Sequence, residues 1–67
     1  MIDSENMYRL CNQHKWFTAG SNEQYEKLFQ LVDDGATPDQ LALVIWVCSD
    51  GFTYKEILKE LAVLSLL

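Results

Sequence analysis

The sequence predicts an all-α fold, one bundle of four short helices over about residues 5–15, 22–34, 38–48 and 54–65. Three observations carry this. Four capped helix starts follow one another along the chain. Behind each start, apolar residues recur at helical spacing. No stretch shows the strict alternation of a half-buried strand.

The first helix takes Ser4 as its cap and places Met7, Leu10, Cys11 and His14 at i, i+3, i+4 and i+7. It runs into HKWFTAG, where Gly20 stops it or stops the turn after it. SNEQ then reads as a capping box, with Ser21 accepting from the backbone near Gln24 and Gln24 reaching back. Tyr25, Leu28, Phe29 and Val32 form the inner face of helix two, and Gly35 supplies the left-handed turn that ends it.

In TPDQ, Thr37 is the cap of helix three, Pro38 its first residue and Gln40 the closing member of a second box. Helix three carries LALVIWVC, residues 41–48, and stops at SDG, with Gly51 as terminator. Thr53 caps helix four, Glu56 completes the box in TYKE, and Tyr54, Ile57, Leu58, Leu61 and Leu64 face inward. DGATPDQL at 34–41 and DGFTYKEI at 50–57 therefore repeat one device, a helix stop followed by a capped start. The expected core holds Leu28, Phe29, Val44, Ile45, Leu58 and Leu61. Of the adjacent pair Trp16 and Phe17, one is expected under the bundle and the other at its rim.

Sixty-seven residues give a single domain, 1–67. A chain of this length buries only about 60% of the surface that it exposes when unfolded. The hydrophobic share of 49% is nevertheless ample for a core. Ten acidic residues against five basic ones give a net charge of −5, and the cations are scattered from Arg9 to Lys59. Phosphate binding needs a basic stripe, so nucleic acid is not the expected partner. MIDSENMYRL lacks the pattern of a signal peptide. The longest apolar run has eight residues, far short of the roughly 20 that span a bilayer. Two cysteines do not make a disulfide scaffold, and the expected compartment is a reducing cytoplasm.

Three resemblances attach to these residues. GFTYKEILKEL resembles the first helix of a helix-turn-helix, as in the DNA-binding region of sigma factors, but AVLSLL follows where that motif needs a turn and a recognition helix. Residues 22–64 resemble the layout of a ubiquitin-associated domain. Asp34-Gly35-Ala36 stands where that family has Met-Gly-Phe/Tyr, so the resemblance implies three-helix packing without the ubiquitin contact. CNQHKWFTAGSNEQYEKLF and LALVIWVCSDG together resemble small uncharacterised proteins of Firmicute bacteria, often carried on phages and integrated mobile elements. That resemblance covers about Leu10 to Gly51 and implies a bacterial cytosol and an accessory role.

Catalytic and metal chemistry find little footing. Cys11 and His14 lie one helical turn apart, and Cys48 would add a third ligand, short of the four of a structural zinc site. Asp33 and Asp34 are neighbours at a helix end rather than two carboxyl groups facing one cleft. Gly20, Gly35 and Gly51 are isolated terminators, not a phosphate-cradling loop. The expectation is a non-enzyme with no catalytic residue, no metal and no cofactor.

Two functional readings follow. The first is a protein-interaction module of unknown partner, with a weak homodimer as one form of that interaction. Its warrant is surplus apolar side chains: LALVIWVC is apolar all round and demands burial from nearly every direction. Where neighbouring helices leave it open, Trp46 or Val47 reaches a partner. Candidate partner-binding residues are Trp16, Trp46, Leu64, Leu66 and Leu67, with Trp46 the tryptophan more inclined to the core. The second reading is a regulator acting on nucleic acid or its machinery. It would act through a degenerate helix-turn-helix or as an acidic decoy built on Glu23, Glu26, Asp33 and Asp34.

Overall fold

A computed structural model describes residues 2–17 and 22–66. Among them are four helices and no strand: α1 (Ser4–His14), α2 (Asn22–Asp33), α3 (Pro38–Cys48) and α4 (Tyr54–Ser65). The expected all-α class and the four segments are what the chain forms. The expected Gly20 stop and Ser21 box lie outside the described residues.

The cap of α1 is Asp3, one residue before the expected Ser4. Its carboxylate accepts the Asn6 amide at 2.8 Å. A carboxylate also meets the positive end of the helix dipole, which favours it over a neutral hydroxyl at the next position. Met7 and Cys11 are fully buried along the inner face. The helix ends at His14, because Lys15 adopts a left-handed backbone, φ 55° and ψ 41°. The Lys15 amide donates to the Asn12 carbonyl at 3.3 Å and the Trp16 amide to the Cys11 carbonyl at 3.1 Å. This paired closure reverses the chain without a glycine.

That reversal corrects the expected split between Trp16 and Phe17, which are only 2% and 8% exposed. Trp16 turns back beneath α1, its ring stacked on His14 at 4.9 Å. Phe17 meets the edge of Tyr25 on α2, with centroids 4.8 Å apart. Each residue covers a different helix, so neither is left at a rim.

The same closure ends α2, this time with the expected glycine. Gly35 has φ 82°, and the Gly35 and Ala36 amides donate to the Val32 and Leu31 carbonyls. At α3 both halves of the capping box form: the Gln40 amide donates to Thr37 Oγ1 at 3.3 Å, and the Thr37 amide to Gln40 Oε1 at 2.9 Å. At α4, Thr53 Oγ1 accepts the Glu56 amide at 3.2 Å, the forward half of the expected box.

α3 packs most extensively on α4, and α2 bridges α1 and α3. The core joins Met7, Cys11, Trp16 and Phe17 to Leu28, Leu41, Ala42, Ile45, Ile57 and Leu61. Leu28, Ile45 and Leu61 are buried as expected, and Phe29 and Leu58 pack partly buried against them. Val44 departs from expectation. α4 and α2 pack over the line of Leu41, Ala42 and Ile45 and leave Val44 on the flank, half-buried.

Candidate functional site

The apolar octet predicts burial of α3 from nearly every side, but the structure buries one face. α4 and α2 cover the line of Leu41, Ala42 and Ile45, whereas α1 packs on α2 and away from α3. At about 100° per residue, Leu43, Trp46 and Val47 share the opposite face. Their exposures are 51%, 45% and 70%, which makes this the open apolar face of an otherwise packed helix.

Trp46 is held in place rather than loose. Tyr54, the first residue of α4, meets it edge to face with centroids 6.4 Å apart. The Tyr54 hydroxyl donates to the Asp39 carbonyl at 3.5 Å, at the start of α3. An aromatic wall thus runs along one edge of the apolar strip. Beyond the other edge, Val44 and Leu31 line an open cleft of about 280 Å³ between α3 and α2, with Lys27, Gln30 and Asp34 at its polar margin.

The charge carried by α3 and the turns on either side of it has one sign. From Leu28 to Tyr54 the chain contains no Lys, Arg or His, but it contains Asp33, Asp34, Asp39 and Asp50, all exposed. Asp39 lies on the open face one turn before Leu43, and Asp50 follows the C-terminal end of α3. Lys55, beside Tyr54, is the first cation after Lys27.

The other candidates divide. Trp16, expected nearer the surface than Trp46, is buried, and the two tryptophans have exchanged roles. Leu64 is half-buried against the core. Leu66 is 86% exposed, with Val63 at 53% one turn before it, while Leu67 lies outside the described residues. Leu43 and Tyr54 were not singled out as site residues by the sequence. Leu43 was findable, because it precedes Trp46 by three and Val47 by four, the spacing of one helical face.

The reactive side chains are dispersed. Burial pushes the Cys11 thiol up to about 12, so it stays protonated and inert at neutral pH. Cys48 is exposed at the end of α3. His14 Nε2 is enclosed and lies 3.5 Å from Glu60 Oε2, near enough to pair when the ring is charged but without a hydrogen bond. Among the described residues no three His, Cys, Asp or Glu side chains group as metal ligands, and no helix is long and apolar enough to cross a membrane.

No family model, curated protein or solved structure matches the chain.

Proposed function

We propose that this chain is a non-enzymatic protein-binding module, an accessory protein of a bacterium or mobile element, that engages its partner on the open face of α3. The observation that carries the reading is the exposure of Leu43, Trp46 and Val47 together on a helix whose opposite face is fully buried. Anchors of this kind, an aromatic flanked by aliphatic residues, concentrate binding energy at protein interfaces. Burying the open half of one indole removes on the order of 100 Å² from water, worth about 2.5 kcal/mol. A second copy of the chain is the competing occupant of the same face. The bacterial and mobile-element setting rests on the sequence resemblance.

The test compares proteins captured from a bacterial lysate by the wild-type chain and by a Leu43→Ser/Val47→Ser variant. Circular dichroism first establishes that the variant keeps its helices. The reading predicts a partner retained by the wild type and lost by the variant. Identical captures would contradict it.

A second reading, an acidic decoy for DNA-binding machinery, draws on α2. Glu23, Glu26, Asp33 and Asp34 are all exposed, and helical spacing gathers them within about a third of the circumference. Lys27 and Gln30 interrupt that stripe. Failure of the chain to release duplex DNA from a basic DNA-binding protein would dispose of this reading.

A further inference from the structure

We infer that the segment bound by the open face of α3 is a basic amphipathic helix of a partner protein, an inference that rests on the reading of that face as the docking surface. Two features of the face combine to specify this occupant. Leu43, Trp46 and Val47 form a narrow apolar strip about one turn long on α3, walled by Tyr54 and bordered by the Val44–Leu31 cleft. A strip of that shape accepts a second helix through residues at i, i+3, i+4 and i+7.

The second feature is charge. Asp39 stands at one end of the strip and Asp50 beyond the other, while Asp34 and Lys27 both line the cleft. Asp39 lies in the first turn of α3 and Asp50 two residues past its last, so the two carboxylates bracket the helix. Lys or Arg residues flanking the apolar stretch of a docked helix would therefore meet a carboxylate at each end. Lys27 at the cleft and Lys55 beside Tyr54 offset these charges only in part.

The same charges argue against the competing occupants. In a two-fold pair of α3 helices, an antiparallel arrangement sets Asp39 against Asp50 of the second copy, and a parallel one sets each against itself. Like charges brought together across an interface repel and disfavour the pair. Nucleic acid and anionic lipid meet the same repulsion.

A displayed library of helical peptides, unbiased in charge, tests the inference. It is selected on the wild-type chain and counter-selected on the Leu43→Ser/Val47→Ser variant. The expected binders carry net positive charge and an apolar i, i+3, i+4, i+7 stripe. Their affinity falls at least about ten-fold with Trp46→Ala or Asp39→Lys/Asp50→Lys, and falls again as salt rises. Face-dependent binders that are acidic or uncharged overturn the basic partner while leaving the docking face in place. No face-dependent binder overturns both. A concentration-dependent dimer abolished by Trp46→Ala overturns the inference in favour of a second copy.

Discussion

Trp46 and Tyr54 meet edge to face, with ring centroids 6.4 Å apart and planes at 80°. The contact joins the open face of α3 to the first turn of α4 and gives the exposed indole an aromatic neighbour that favours this orientation. Pre-ordering of this kind lowers the entropy lost when the side chain enters an interface. Trp16, by contrast, is enclosed by the core and stacked on His14. One tryptophan serves the fold, and the other is free to serve recognition.

The two indoles should therefore respond oppositely to truncation. Trp16→Ala removes a buried aromatic and should cost about 3–5 kcal/mol, comparable to the whole stability of a domain this small. Trp46→Ala should cost no more than about 1 kcal/mol, mostly the contact with Tyr54. Thermal unfolding followed by circular dichroism separates them. A Trp46→Ala variant as damaged as Trp16→Ala would mean that α3 has no open face.

The left-handed closures of α1 and α2 make a second pair of expectations. Lys15 holds φ 55°, where a side chain is strained, and Lys15→Gly should stabilise the protein by roughly 0.5–1 kcal/mol after the entropic cost of glycine. Gly35 holds φ 82°, and a Cβ added there would meet nothing within 4 Å. Gly35→Ala should therefore lose about 1 kcal/mol through backbone strain and not through a clash. Melting temperatures that move together, in either direction, would refute the account of these caps.

Alkaline pH should loosen the core through Cys11. Its thiol is held at about 12 in the fold by burial, against an ordinary value of 9.0. Between these values the unfolded chain releases a proton that the folded chain keeps, so stability falls as pH rises. The contribution is complete below about pH 9, declines by about 1.4 kcal/mol per unit above it, and is gone near pH 12. Tyr25, raised by burial and then by Cys11 and Tyr8, adds to the same slope. Urea unfolding from pH 8 to 11 should show a shallower decline for Cys11→Ala than for the wild type. Equal slopes would remove Cys11 from the account.

A chelator should leave stability unchanged. Cys11 lies in the core and Cys48 is exposed at the end of α3, and the packed core and helix caps hold the fold together. Melting curves with and without EDTA should superimpose. A lowered transition with EDTA would restore Cys11, His14 and Cys48 as a metal site.

Helix positions were legible because the local signals are strong. Thr37, Pro38 and Gln40 determine where α3 begins whatever packs on it, and Gly35 can end α2 because its backbone conformation is left-handed. The start of α1 slipped by one residue because Asp3 and Ser4 are both good caps and only the carboxylate carries charge. The candidate site was half legible. LALVIWVC announces surplus apolar surface, but every position in it is apolar, so the pattern carries no phase. Only the packing of α4 and α2 decides that Leu41, Ala42 and Ile45 go in while Leu43, Trp46 and Val47 stay out. The burial of Trp16 was hidden for a similar reason: it follows from Lys15 taking a left-handed turn that usually calls for glycine.

The most direct measurement is nuclear magnetic resonance of the chain titrated with a helical peptide selected on it. The indole Nε1–H of Trp46 and the methyl groups of Leu43 and Val47 should shift together, with Tyr54 beside them, while the buried Trp16 indole holds its position. Shifts centred on Glu23 to Asp33 of α2, or on Val63 of α4 and Leu66 at its end, with the α3 face unmoved, would contradict the central claim.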